Sequence, residues 1–333
     1  MQRSATVVFI LLFAVIFAQG QHQPLWERDD PLQLVLETNF KKILKKVKTL
    51  DERMDGYLKY TDSAGINVAI PVQTEPRGHF RRDPGNCRFP PLSLKFPEKN
   101  SGSVFENITK LKLVTHCKRG KNGKHLVAKE LLCYRFFNVL TDSSFRVRPA
   151  FITYVDSQTR DTLETHFTFF IERTRDMRER LGTEQMENDY FNIKWLDDYQ
   201  AARLSLFQFM IGNTDWSVYQ EHNTKAMKNE HIRLAIPYDF DWSGFVGAPY
   251  ARPHPKFPIK EVTQRHYIGK KIEPSTLKLV IEEFNGHQEA FAGIIDKNPV
   301  LDDKAKRKCM EYLESFYKII NDPKILNNYL EKD

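Results

Sequence analysis

Asp215, Asn223, Asp239 and Asp241 fall close together between residues 212 and 250. Asp215 follows Gly212-Asn213-Thr214, just past the end of an apolar stretch, and Asn223 lies further along the same loop. A short strand-like run, residues 232–238, then delivers Asp239 and Asp241 within Pro237-Tyr238-Asp239-Phe240-Asp241. Hard oxygen donors of this kind suit Mg2+ or Mn2+. A further carboxylate beside an attacking hydroxyl can orient it or take its proton. Phosphoryl transfer asks a protein mainly for positioning and charge neutralisation, so the inventory fits a phosphotransferase. Each acid taken singly also has a structural use, as a helix cap or a turn residue. Their joint placement at element ends is what favours a site.

The elements that must position these groups are legible in outline. Residues 195–211 read as an apolar helix, and Gly212 and Asn213 fit its stop because both tolerate the left-handed conformation. Residues 224–227 and 232–238 can form a hairpin turning at 228–231. With the turn centred near His231, Asn223 and Asp239 lie opposite each other at the open end, within reach of one metal ion. Residues 275–284, 287–296 and 302–320 read as further helices.

The first half is β-rich. Residues 32–36 read as a strand and 40–47 as a short basic helix. Residues 56–75 read as a hairpin with its turn at Ser63-Ala64-Gly65. Segments 92–96, 110–114, 145–155 and 165–171 are strand candidates, the last two paired across a polar turn. Residues 172–181 form a charged, exposed helical connection. Between the strands, residues 124–140 make a helix with Leu126, Val127, Cys133, Tyr134, Phe137 and Leu140 on one face. Glu130 falls in the middle of that face, where a carboxylate must find a cation. A structural salt bridge satisfies it; so does the lysine that a helix glutamate holds on nucleotide phosphates in kinase-like folds.

Bulk properties narrow the classes. The first 20 residues, with Arg3, an apolar run over 7–18 and Ala18-Gln19-Gly20, read as an export signal. The rest is expected to be secreted, periplasmic or otherwise extracytoplasmic. No later segment is long and apolar enough to cross a membrane. The chain of 333 residues carries a net charge of +7. Its basic runs, 77–88 among them, read as solvated faces, and no nucleic-acid-binding motif accompanies them. Cys87, Cys117, Cys133 and Cys309 allow three disulfide connectivities. His79, His222 and His254 match no zinc spacing, and Trp216, Trp242, Phe245 and Tyr250 read as packing residues. Asn107-Ile108-Thr109 is a glycosylation sequon in a eukaryotic host.

Several of these segments together resemble the CotH family of exported, kinase-like proteins. The residues concerned are Arg77-Gly78, Ala128-Lys129-Glu130-Leu131-Leu132, Phe169-Phe170-Ile171-Glu172, Gly212-Asn213-Thr214-Asp215 and Ile236-Pro237-Tyr238-Asp239-Phe240-Asp241. The resemblance implies an α+β, two-lobed protein-kinase-like fold, with a β-rich N-terminal lobe over 21–175 and a mainly helical C-terminal lobe over 176–333. It implies an ATP- and Mg2+- or Mn2+-dependent kinase that phosphorylates a protein. Asp215 matches the catalytic-loop aspartate, Asn223 and Asp239 the metal ligands, and Glu130 the first-helix glutamate. Asp241 stands where ordinary kinases have glycine and adds a second metal carboxylate. Lys112 is the first choice for the nucleotide lysine and Lys95 the alternative. No Gly-x-Gly-x-x-Gly loop is present, so Arg77 and Gly78 are expected to cover the phosphates. A catalytically inactive binding or assembly protein, an AMP transferase on the same scaffold and a metal-dependent hydrolase stay open as alternatives.

Overall fold

Alternating apolar residues shape the first half. The computed structural model describes residues 22–117, 121–186 and 191–330; the expected export signal lies outside them. Strands β1 (Leu32–Thr38), β2 (Met54–Thr61), β3 (Asn67–Pro76), β4 (Leu92–Lys95), β5 (Lys110–Val114), β6 (Val147–Asp156) and β7 (Thr162–Ile171) form one sheet. Every second side chain points inward: Leu34 and Leu36, Ile70 and Val72, Leu92 and Leu94, Ile152 and Tyr154 are all buried in a common core. Phe40 and Ile43 of the short helix α1 (Phe40–Lys45) join it.

The sheet closes on itself in the order β1-β2-β3-β4-β5-β7-β6. Closure comes from a parallel pairing of β1 with β6, running from Leu32↔Ala150 to Thr38↔Asp156. The sequence reading expected a β-rich lobe but not a barrel, because this pairing joins strands more than a hundred residues apart. Among the described residues, closure leaves this sheet no edge strand. The content is mixed α and β, as expected, and a closed seven-stranded barrel is the form the β half takes.

Helix α2 (Lys121–Leu140) links barrel and helices. The sequence assigns it one apolar face, yet Val127, Ala128, Leu131, Leu132, Tyr134, Phe136 and Phe137 are all buried. The helix is covered on several sides because it lies between the outer faces of β6 and β7 and the C-terminal helices. Those helices are α4 (Asp198–Met210), α5 (Pro274–Gly286), α6 (Gln288–Asp296), α7 (Asp303–Ile320) and α8 (Pro323–Leu330), with α3 (Thr174–Leu181) at the junction. The last, α8, went unrecognised in the sequence. A small sheet, β8 (Glu184–Gln185) with the hairpin β9 (Thr224–Lys228) and β10 (Arg233–Pro237), completes the fold. Among the described residues no helix is long and apolar enough to cross a membrane.

Cys87 and Cys117 form a disulfide that ties the loop before β4 to the end of β5, while Cys133 and Cys309 are buried thiols.

Candidate functional site

The loop after α4 is held by its own side chains. Gly212 takes a positive φ of 62° as the helix ends. Asn213, 2% exposed, donates through Nδ2 to Gln208 Oε1 at 3.0 Å. Its Oδ1 accepts from the Asp215 backbone N–H at 2.9 Å. Asp215 is thereby aimed outward from a buried anchor. Asn223 Nδ2 donates to Asp215 Oδ2 at 2.9 Å and to the Asp215 carbonyl at 2.7 Å, and His222 Nε2 lies 2.9 Å from Asp215 Oδ1. A tight loop closed by the Ser217–His222 backbone pair brings these residues back to Asp215.

The hairpin delivers the second group. Its register pairs Thr224 with Pro237, and the Tyr238 N–H donates to the Asn223 carbonyl at 3.0 Å. Asn223 therefore faces Tyr238, one position short of the expected partner Asp239. Asp239 has φ 62°, unusual for a residue with a Cβ. Its N–H donates to Tyr134 Oη on α2 at 2.9 Å. That turn carries the chain into Asp241, which is 6% exposed and accepts from Tyr250 Oη at 2.8 Å.

Two glycines lock the loops together. Gly244 N–H donates to the Gly212 carbonyl at 3.0 Å. A Cβ on Gly244 would sit 2.4 Å from both Tyr312 Oη and the Val262 carbonyl. Only glycine allows this approach.

These segments enclose a cavity of about 460 Å³. Arg77, Gly78, Glu130, Asp215, Asn223, Asp239 and Asp241 all line it, together with Phe80, Arg81, His222 and Trp242. Seven of the nine residues singled out in the sequence thus share one cavity. The two lysines do not line it. Lys95 is exposed at the end of β4, cross-strand from Lys110. Lys112 is held over the rings of Tyr238 and Phe145, at 5.5 and 6.0 Å from their centroids. Burial and the repulsion of Arg77 push Lys112 down to about 8, against the pull of Asp239.

Glu130 is 3% exposed and its ion-pair partner is Arg81, 3.8 Å away, rather than either lysine. Burial and the charge of Asp241 raise the Glu130 carboxyl well above the usual carboxylate range, with Arg81 opposing. Burial and the charge of Asp239 raise Asp241 to about 7, again with Arg81 opposing. The basic run 77–88 is accordingly not a solvated face. Arg77 and Arg81 turn into the cavity, and Arg82 donates to the carbonyls of Val47 and Leu50.

Read from the sequence alone, Arg81 and His222 have no role in the site. Arg81 lies in a short 3-10 turn, Phe80–Arg82, which the left-handed Gly78 (φ 81°) separates from Arg77, so no local periodicity links the two arginines. His222 matches no zinc spacing in the sequence, and in the structure its partner is Asp215. Trp242 and Tyr250 do pack, with Phe80 at 5.4 Å from each, but Phe80 and Trp242 also face the cavity.

The donor set fits a hard divalent cation. Asp239, Asp241 and the Asn223 carboxamide oxygen are its natural ligands. Burial raises both Glu130 and Asp241, with Asp241 adding to the first and Asp239 to the second, and a divalent charge would oppose those raises.

No family model matches the sequence, and no curated protein matches it. Among solved structures, that of the Helicobacter pylori proinflammatory kinase CtkA is similar at a TM-score of 0.40 and 9% identity, covering 73% of this chain and 92% of that one. A likeness at that level carries no part of the functional reading.

Proposed function

We propose that this chain is an ATP- and divalent-metal-dependent phosphotransferase of the atypical protein-kinase class, acting on a protein hydroxyl. The observation that carries the reading is the convergence of Asp215, Asn223, Asp239, Asp241 and Glu130 with Arg77 and Arg81 in one cavity. Mg2+ or Mn2+, when bound, would neutralise phosphate charge. Asn223, Asp239 and Asp241 would hold it. Arg77 and Arg81 would take phosphate oxygens, with guanidinium geometry suited to two-point contact. Glu130 would orient Arg81, the task that ordinary kinases give to a glutamate and a lysine. Phe80 and Trp242 offer an apolar wall to a base. Asp215, fixed by Asn213, Asn223 and His222, would orient the acceptor hydroxyl and accept its proton.

Export is part of the proposal, and the Cys87–Cys117 disulfide supports an oxidising compartment. The position of Lys112 outside the cavity favours one rival, a nucleotide-binding protein without transfer activity. Calorimetry with ATP, with and without Mg2+ or Mn2+, tests the site. Metal-dependent binding that Asp239→Asn abolishes is expected; no binding by folded protein with either metal refutes the proposal. Transfer is tested next with ATP labelled at the α or the γ phosphorus. Retention of γ label, lost in Asp215→Ala, is expected. Retention of α label makes the chain an AMP transferase, and no retention leaves the binding protein.

A further inference from the structure

A second cluster of ligating side chains lies inside the barrel. His116 follows β5, and Glu164 and His166 stand two apart on β7, so both point to one face. Ligand atoms of the three residues lie within 4.8 Å of one another. His116 Nε2 is 2.9 Å from Glu164 Oε1. His116 is fully buried and His166 is 7% exposed. His166 Nδ1 lies 3.2 Å from the Phe167 carbonyl oxygen. A proton on Nδ1 donates there and leaves the Nε2 lone pair for an ion, the arrangement that orients metal-binding histidines.

A further observation points to a bound species. Tyr154, directly cross-strand from Glu164, is fully buried. Its hydroxyl finds no hydrogen-bond partner among the described residues. It is also close enough to feel the Glu164 charge. A buried hydroxyl without a partner marks the place of an unseen polar group.

The geometry points to a zinc site built by His116, Glu164 and His166, with a fourth position for a water that the Tyr154 hydroxyl holds. Two imidazoles and one carboxylate are zinc donors, and three protein ligands with a water is a set that zinc adopts. Tetrahedral zinc holds its ligand atoms about 3.3 Å apart, so side-chain rotation closes the remaining gap. The rings now stack with centroids 3.8 Å apart, and binding would break that stack. The ion would brace β5 and β7 where the Cys87–Cys117 disulfide already holds the end of β5. The site is separate from the cavity and stands or falls independently of the phosphotransferase proposal.

The test is metal content of the full chain after equilibration with Zn2+ and dialysis against metal-free buffer, run beside Asp239→Asn and His166→Ala. One retained equivalent of zinc in the wild type and in Asp239→Asn, and none in His166→Ala, is expected. Co2+ in the unmutated chain should give the strong visible absorption of a tetrahedral site, which keeps the test valid if His166→Ala fails to fold. No retained zinc together with no tetrahedral Co2+ spectrum overturns the inference. So does retention that Asp239→Asn removes.

Discussion

Metal affinity at the cavity should depend on pH in a way the buried acids set. Asp241 is raised from 3.8 to about 7 by burial and by Asp239. Between these two values the folded state holds a proton that the unfolded state has released. Asp241 therefore costs no stability below about pH 4, an increasing amount up to pH 7, and its full amount above, at most about 4 kcal/mol. A divalent ion must displace that proton to use Asp241 as a ligand. With a carboxyl at about 7, the fraction ready to bind rises about 25-fold from pH 5.5 to pH 7.5. The assay is Mn2+ binding without nucleotide, read from the resonance of the free ion at both pH values. Unmutated protein should tighten by about that factor. Asp241→Asn should bind more weakly at pH 7.5 and show little of the dependence. Equal affinity at the two pH values, or an undiminished dependence in Asp241→Asn, would refute the claim that Asp241 is a protonated ligand awaiting the ion.

Three further outcomes follow from the packing. Arg81→Met and Glu130→Gln, made singly and together, should show a coupling of about 1–3 kcal/mol in denaturant unfolding, because each alone strands its buried partner; additive effects would show that the 3.8 Å pair contributes nothing. Gly244→Ala should lower stability by about 1–3 kcal/mol and weaken Mn2+ binding with it, since the new methyl meets Tyr312 and the Val262 backbone; an unchanged melting temperature would mean that the two loops are not locked there. Cys87→Ser opens a loop spanning 30 positions and should cost about 3–4 kcal/mol by loop entropy; a loss under about 1 kcal/mol in calorimetric melts would show that the barrel already constrains this loop.

What was legible in the sequence follows local physics. Strands with alternating apolar residues, the Gly212 helix stop and the turn between β9 and β10 each depend on neighbours within a few residues, and each was readable. The hairpin register was off by one position, which left Asn223 opposite Tyr238 rather than Asp239. Glu130 announced itself as a carboxylate on an apolar helix face, though not by which cation it would be met. Lys112 stands in the strand just before α2 and Lys95 in the strand before that, and neither lines the cavity.

The sequence by itself determined the donor inventory and the short elements that carry it, because residue type and local periodicity suffice for both. Only the tertiary structure decided how those elements meet. It closed the barrel through β1 and β6, turned Arg77 and Arg81 inward to Glu130, and set His222 on Asp215. It also brought His116 to Glu164 and His166 across the sheet. Each of these contacts except His222–Asp215 joins residues far apart in the chain. Their geometry follows from packing around shared cores, and no local pattern encodes it.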